Sequence, residues 1–319
     1  MTWFPVLAAL LLQHFFPFAG VPRMRELHAR VAQNLESSFN AGDRHSGMIA
    51  YGVLFLLAVA PLAVLFYLLY YITPLLAGVL DIAVLYTGLA FWWQLGKFEA
   101  VRAPLAAGEL AAANAALIAW YGPDAPAGLA NVASPGFVPE RDQIARLAIE
   151  RLIVEAQHGL FGPLFWFCVL PGPVGVVLYH ATRAAQQVWS SHATPDGTPF
   201  PFGWLAREAW WVMNWIPVRA SACTFAIVGN FEDALFCWRD QATEWGERLH
   251  GILLASAGGA LGMRLGGVVF TVERAYTRPE LGMGEMADAE SMVSVEGLLW
   301  RSVVLWALVL LLGGIANSF

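Results

Sequence analysis

The residue best suited to binding chemistry is an arginine close to a proline in an apolar segment. Arg219 ends the run Asn214-Trp215-Ile216-Pro217-Val218-Arg219, which lies in an apolar stretch. A guanidinium keeps its charge and forms paired hydrogen bonds with carboxylates and phosphates, so in an apolar segment it requires an anionic partner. Asn214 and Arg219 are therefore predicted to bind an anion or another ligand.

Acidic residues of the same chain could supply that partner instead. Glu150 and Glu155 stand in a charged segment at helical spacing, and Asp81 stands near the start of an apolar segment. A carboxylate in such a place is costly unless it is paired, which makes all three candidate partners of Arg219. The sequence leaves open whether Arg219 binds one of them or an anionic ligand. Glu150 and Glu155 are kept as the candidate acidic residues of a site.

A glycine-rich run from Gly258 to Gly267 contains another arginine, Arg264. Glycine amides and a nearby guanidinium could together bind a phosphate, which makes Arg264 a candidate ligand-binding residue. The alternative is helix packing, because Gly258, Gly262 and Gly266 would share one face of a helix. The spacing favours the second interpretation.

Several common chemistries have no motif here. The sequence contains no P-loop, no HExxH, no GxSxG and no kinase signature. Its three cysteines have neither metal-site nor disulfide spacing and are predicted to be buried thiols. No metal site is predicted. The net charge of −6 and the lack of a basic cluster indicate that nucleic acid is not a partner.

The composition places the candidate residues in a membrane protein. Of 319 residues, 58% are hydrophobic and 13% are charged, whereas soluble domains carry roughly 25% charged residues. We predict an all-α integral membrane protein with about five transmembrane or re-entrant helices and cytoplasmic helical segments. The apolar segments are 3–18, 48–72, 75–95, 159–179, 204–229 and 298–315.

The predicted organisation follows from these segments. Residues 1–95 hold a membrane helix, a polar linker and a helical hairpin; 96–158 form a helical block; 159–231 hold broken and interfacial segments. Residues 232–297 form a glycine-containing block, and 298–319 form the last membrane helix. Arginines cluster in 22–47 and 96–158 but not in the turn at Thr73-Pro74, so the polar blocks are predicted to be cytoplasmic.

The segment from Glu150 to Tyr179 is broken by Gly162-Pro163 and again by the prolines and glycines of 171–175. Lipid offers no partner for freed backbone groups, so such breaks occur where the backbone is buried in protein or lines a polar cavity. This segment could be a kinked packing helix or a ligand-binding or transport segment, and the sequence leaves both alternatives open. No internal repeat supports a transporter, which stays the weakest alternative.

The order and spacing of these motifs over roughly 149–302 resemble the CobD/CbiB family of cobalamin-biosynthesis membrane proteins, and also the AmpE-like inner-membrane proteins. The N-terminal half agrees mainly in hydropathy layout and in Leu35-Glu36. The matching pieces are Ile149-Glu150, Gly159, Pro163-Leu164-Phe165-Trp166, Gly172-Pro173-Val174-Gly175, Tyr179, Asn214 to Arg219, Arg239-Asp240, Gly259 to Gly267, Tyr276 and Arg278-Pro279-Glu280-Leu281-Gly282.

The resemblance implies a multi-pass protein of the bacterial inner membrane. It also makes Arg239 and Asp240 candidate ligand-binding residues. Its enzymatic relatives use ATP and a divalent metal to join an aminopropanol-type amine to the carboxylate of adenosylcobyric acid. It also implies, as an alternative, an AmpE-like regulator or sensor of cell-envelope or β-lactamase signalling that is not an enzyme. The expected partners are the lipid bilayer, a corrinoid or other anionic small molecule, and a membrane protein or a second copy of the chain.

The chain departs from the enzymes at their acidic motifs. Where the family carries acids, this sequence has Val154-Glu155, His158, Arg183 to Gln186 and Trp210-Trp211. A hard cation takes oxygen ligands, and an indole cannot replace a carboxylate. The sequence therefore leaves open whether ligase activity is kept, and we expect ATP and Mg²⁺ as cofactors only if it is.

Overall fold

The structure is a computed structural model that describes residues 3–122, 140–190, 201–270 and 275–316. By contacts, the chain divides into two compact units. The first comprises residues 1–90, 159–217 and 309–319, and the second comprises residues 91–158 and 218–308. Each unit is described by itself below.

The described residues are mostly helical, with a small sheet. The helices are α1 (Trp3–Phe15), α2 (Val21–Phe39), α3 (Arg44–Ile72), α4 (Pro74–Gly88), α5 (Phe91–Ala106), α6 (Leu110–Tyr121), α7 (Arg141–Ala156), α8 (Gly162–Val169), α9 (Val174–Trp189), α10 (Trp204–Val228), α11 (Phe231–Gln241), α12 (Arg248–Leu261) and α13 (Ser291–Ala316). The strands are β1 (Met263–Phe270), β2 (Ala275–Gly282) and β3 (Glu285–Met286). A π-helical turn at Gln157–Phe161 joins α7 to α8, and a 3₁₀ turn at Pro201–Gly203 precedes α10.

Within the described residues, four helical stretches are long and apolar enough to cross a membrane: Arg44–Ile72, Pro74–Ala106, Arg141–Val169 and Ser291–Gly314. Two shorter apolar helices are Trp3–Phe15 and Leu110–Tyr121. Large apolar side chains of α3, among them Leu56 and Val64, are exposed, as lipid-facing side chains would be. The prediction of an all-α membrane protein is confirmed. The apolar stretch 204–229 forms α10, which is not among the four.

In the first unit, α3 and α4 form the predicted helical hairpin. Asp43 caps the start of α3 by accepting from the Ser46 amide at 3.2 Å. Thr73 caps α4 by accepting from the Leu76 amide at 3.3 Å, directly before Pro74 at the first helical position. Each helix of the hairpin therefore begins at a residue whose capping chemistry the sequence displays.

The core of this unit contains α2, α3 and α9, which pack on one another around Trp189. The indole of Trp189 is fully buried and donates to the carbonyl of Ala32 in α2 at 2.9 Å. Its ring also contacts Phe202 of the 3₁₀ turn, edge to face. These contacts attach α9 and the turn to α2.

The broken segment serves close packing in this unit. Gly175, at the start of α9, lies so near α8 that a Cβ atom would stand 2.1 Å from the carbonyl oxygen of Trp166. A Cβ atom on Gly162 would meet the Tyr179 ring at 2.4 Å. The two breaks therefore let α8 and α9 approach each other, which favours the kinked-packing alternative over a transport segment.

In the second unit, the three glycines of the glycine-rich run do not share one helix face, and that prediction was wrong. Gly258 lies in α12, Gly262 ends that helix at φ +66°, and Gly266 lies in β1 at φ +82°. The amide of Gly266 donates to Glu150 at 2.8 Å. Glycine tolerates the positive φ that this helix-to-strand turn requires.

The sheet itself was not predicted. Its strand order is β2-β1-β3, with β1 and β2 antiparallel and β3 parallel to β1. A bulge interrupts the β1–β2 register between Gly266 and Gly267. The block 232–297, expected to be helical with a glycine-rich interruption, therefore contains a β-hairpin.

Candidate functional site

A cavity of about 400 Å³ in the second unit gathers three arginines. Arg219 comes from α10, Arg239 from α11 and Arg248 from the first turn of α12. The lining residues are Arg219, Leu235, Trp238, Arg239, Ala242, Thr243, Arg248 and Ile252. We call this cavity the arginine pocket.

The helices of the arginine pocket are fixed by their caps and by hydrogen bonds to neighbouring elements. Asn230 caps α11 by accepting from the Asp233 amide at 3.3 Å, and its own amide donates to the carbonyl of Ala260 in α12 at 2.9 Å. At the other end of α11, Gln241 donates to and accepts from Gly282 of β2 at 3.1 and 2.6 Å. Leu235 and Trp238 are three residues apart and therefore lie on the same face of α11, which lines the cavity. Ala242, directly after the helix, extends this lining.

The arginine pocket carries positive charge that its own lining does not neutralise. None of its lining residues is acidic. Among the described residues, Arg239 and Arg248 form no ion pair or hydrogen bond, and both side chains are exposed. Burial, followed by the nearby charge of Arg248, lowers the pKa of Arg219. Guanidinium groups so close together repel one another, and an anion bound between them would relieve that repulsion.

The chemistry available in the arginine pocket is anion recognition. Arginine forms paired, charge-assisted hydrogen bonds with phosphate or carboxylate oxygens. Trp238 adds a half-buried aromatic ring on which a flat ligand could stack, and Thr243 adds a hydroxyl. A phosphate- or carboxylate-bearing molecule matches this lining in charge.

Two of the predicted site residues, Arg219 and Arg239, come together in this pocket, and Arg248 was missed. Arg248 lies in none of the matching motifs, and its spacing from the other two arginines follows no rule. Asp240 is exposed and does not line the cavity.

Asn214 and Arg264 do not line the arginine pocket. Asn214 is buried in the first unit, where it accepts from the Tyr179 hydroxyl at 2.7 Å and donates to the Trp210 carbonyl at 2.9 Å. Arg264 donates to Glu280 at 2.8 Å and to the carbonyl of Gly284 at 2.7 Å. Both side chains hold neighbouring parts of their own unit together.

Glu150 holds the hairpin onto α7. Its carboxylate accepts from Arg278 of β2 at 2.7 and 3.0 Å and from the Gly266 amide of β1 at 2.8 Å. Burial alone would lower the pKa of Arg278, but the charge of Glu150 and its hydrogen bond outweigh burial, so this pKa is raised. The oxygens of Glu150 are thus occupied within the protein.

Glu155 is also engaged. It is fully buried, forms an ion pair with Arg151 at 3.2 Å and accepts a short hydrogen bond from Gln94. Gln94 in turn accepts from the Trp120 indole at 2.8 Å. This chain of contacts joins α5, α6 and α7.

The described residues do not fit the divalent metal that the resemblance implies. No group of three or more His, Cys, Asp or Glu side chains able to hold a metal ion occurs among them. The two predicted acids are taken up by arginines, as described above. The phosphates of ATP, by contrast, fit the charge of the arginine pocket.

Comparisons with known proteins agree with the motif order. A family model described as CobD/Cbib protein matches residues 6–296. A protein of Stutzerimonas stutzeri described as cobalamin biosynthesis protein CobD is 32% identical over 316 residues, covering 97% of each chain. Proteins of the same description from Chromobacterium violaceum and Rhodobacter capsulatus are each 29% identical, over 73% and 68% of this chain and 70% and 64% of their own lengths. No solved structure matches.

Proposed function

The chain belongs to the CobD/CbiB protein family, and from this membership we propose that it serves cobalamin biosynthesis by binding an anionic ligand in the arginine pocket. The observation that carries the proposal is the meeting of Arg219, Arg239 and Arg248 in a cavity without an acidic lining residue. The ligand class is a molecule with a phosphate or a carboxylate, such as the nucleotide or the corrinoid acid of the family reaction. We do not propose the role of an AmpE-like regulator or of a transporter, because no observation favours either.

We further propose that the protein resides in the bacterial inner membrane with its polar blocks in the cytoplasm. The arginines of 22–47 and of 96–158 flank the hairpin of α3 and α4, whose Thr73-Pro74 turn has none. Basic residues near membrane helices are retained on the cytoplasmic side. A cytoplasmic arginine pocket would meet nucleotides directly.

Removing two guanidinium groups is expected to abolish most of the anion affinity. A hydrogen bond to a charged group contributes about 1.5–3 kcal/mol, and about 1.4 kcal/mol is tenfold in affinity. The double variant Arg239→Gln, Arg248→Gln should therefore bind ATP or adenosylcobyric acid at least about 100-fold more weakly. Isothermal titration of the detergent-solubilised full chain with each probe measures this.

Arg264→Gln is the matched control, since it also removes one exposed guanidinium from the second unit. Its affinity for both probes should stay within about twofold of the parent, because Arg264 is paired with Glu280 outside the pocket. The proposal would be contradicted if the control and the double variant lost equal amounts of affinity, or if the parent protein bound neither probe.

We expect the protein to bind its anionic ligand without joining the amine to the corrinoid acid. In the described residues, Glu150 and Glu155 are held by arginines and no metal-holding group occurs. Purified protein supplied with adenosylcobyric acid, 1-amino-2-propanol, ATP and Mg²⁺ should form no amide product and consume no ATP above background. Chromatography of the corrinoids checks this. Amide formation that is lost in the Arg239→Gln, Arg248→Gln variant would show that the family activity is retained.

A further inference from the structure

A second cavity, of about 200 Å³, lies in the first unit, between α2, the end of α4 and α9. We call it the histidine pocket. Its lining residues are Val21, Met24, Arg25, Leu27, His28, Val84, Thr87, Gly88, Ala90, Val176, Val177 and His180. None of these is acidic. Met24, His28 and His180 supply a thioether and two imidazoles, which are ligands of soft and borderline metal ions.

Two neighbouring helices bring these three side chains together. Met24 and His28 are four residues apart in α2 and therefore lie on one face of that helix. His180 comes from α9, which packs on α2, and the ring centroids of the two histidines are 6.1 Å apart. An ion about 2 Å from one nitrogen of each ring holds the ring centres at most about 6.5 Å apart. One ion therefore reaches both rings at the observed separation.

Backbone hydrogen bonds hold both imidazoles as metal-ligating histidines are usually held. Nδ1 of His28 lies 2.8 Å from the carbonyl oxygen of Met24, and Nε2 of His180 lies 2.8 Å from that of Gly88. A carbonyl oxygen only accepts, so each of these ring nitrogens donates. Histidines that bind metals commonly donate their second N–H to a carbonyl or a carboxylate in this way, which fixes the tautomer and the ring orientation.

The other nitrogen of each ring is left as a lone-pair donor. In the neutral imidazoles these atoms are Nε2 of His28 and Nδ1 of His180. Within the described part of the chain, neither atom has a hydrogen-bond partner. Burial is the largest cause that lowers the pKa of both histidines, so the rings are neutral at physiological pH.

The ligand set selects a soft monovalent ion. Mg²⁺ and Ca²⁺ take oxygen ligands, which this lining lacks as carboxylates, whereas thioether and imidazole groups suit Cu(I). Arg25 also lines the cavity, and its guanidinium and that of Arg183 have further interactions within the protein. Beside such charges a monovalent ion meets less repulsion than a divalent one. The described residues hold no group of three His, Cys, Asp or Glu ligands, but such a group does not include methionine.

We propose that the histidine pocket binds one Cu(I) ion through Nε2 of His28, Nδ1 of His180 and the thioether sulfur of Met24. The site uses no residue of the arginine pocket, so it is a second binding function beyond anion recognition.

Competition for Cu(I) with a chromogenic chelator tests this on the detergent-solubilised full chain, without oxygen and with ascorbate. Cys168 and Cys223 are free and exposed, and such thiols bind Cu(I) themselves. The background variant Cys168→Ser, Cys223→Ser removes them and should retain one Cu(I) ion per chain. X-ray absorption of the loaded variant should show nitrogen ligands at about 2.0 Å and a sulfur at about 2.3 Å.

Further changes in this background assign the ion to the pocket. His28→Phe and His180→Phe should each weaken Cu(I) binding more than about 100-fold, since even the loss of a group behind a ligand costs about 10- to 100-fold. Met24→Leu keeps the side-chain volume, so it decides the matter if a phenylalanine variant fails to fold. It should remove the sulfur signal and weaken binding at least about tenfold. His45→Phe, at an exposed position of α3, is the matched control and should bind as the background does.

Three results would overturn the proposal. The background variant could retain no Cu(I), or its copper could have oxygen or sulfur ligands without nitrogen. The third is retention of copper by the Met24 and histidine variants at the affinity of the His45→Phe control.

Discussion

Replacing Glu150 by glutamine is expected to destabilise the second unit by about 3–5 kcal/mol, because it leaves a buried guanidinium without its counter-charge. The side chains of Glu150 and Arg278 are 6% and 18% exposed, and two hydrogen bonds join them. The guanidinium of Arg278 also lies over the Trp245 ring at 5.3 Å, so it cannot simply turn into solvent without losing that contact. Thermal unfolding of the solubilised protein, together with hydrogen exchange of β1 and β2, measures the loss.

An exposed ion pair between the same two strands supplies the control. Arg264 of β1 and Glu280 of β2 lie 2.8 Å apart, with side chains 41% and 48% exposed. Glu280→Gln should cost less than about 1 kcal/mol, as exposed pairs do. The double change Glu150→Leu, Arg278→Met should recover most of the stability, because it removes both buried charges at once. Equal effects of Glu150→Gln and Glu280→Gln would mean that burial does not control the strength of this pair.

Glu150 is one of three polar side chains of α7 that form hydrogen bonds with backbone groups of β1. Arg146 donates to the carbonyl of Val268 at 2.5 Å, and Gln143 bonds both the amide and the carbonyl of Phe270, at 2.9 and 2.8 Å. Their spacing of three and four residues places them on one helix face. An unpaired strand edge would otherwise expose backbone donors and acceptors. The helix thus replaces a neighbouring strand, which explains why these polar residues lie buried beside an apolar segment.

The membrane helices could be predicted from the sequence because their signals are local. The uncharged stretch of α3 and the Thr73-Pro74 boundary between α3 and α4 follow from hydropathy and capping. The hairpin of β1 and β2 could not be predicted in the same way, because a short apolar run with glycines suits a helix end as well as a strand. The positive φ angles of Gly262 and Gly266 decide between the two, and they depend on tertiary packing.

The candidate site was only partly predictable for a related reason. Arg219 was predicted from the chemistry of arginine and Arg239 from the family resemblance, and their meeting depends on how α10 and α11 pack. Arg248 joins them from a third helix, which no spacing rule in the sequence links to the other two. Glu150 had the residue type of a metal ligand, yet its partner Arg278 stands 128 residues away. A sequence displays the type of a charged residue, but only the fold shows whether its charge is already paired.

Gly47→Ala and Gly52→Ala are expected to change stability in opposite directions although both lie in α3. A Cβ atom on Gly47 would stand 2.0 Å from the carbonyl oxygen of Phe202, which is backbone and cannot rotate away. The 3₁₀ turn that carries Phe202 would be displaced from Trp189, at a cost of about 1–3 kcal/mol. At Gly52 nothing lies within 4 Å of the added atom, so alanine there should stabilise the helix by about 0.5–1 kcal/mol. Unfolding midpoints of the two variants in one detergent measure both signs, and a stable Gly47→Ala protein would mean that α3 and the turn are not in close contact.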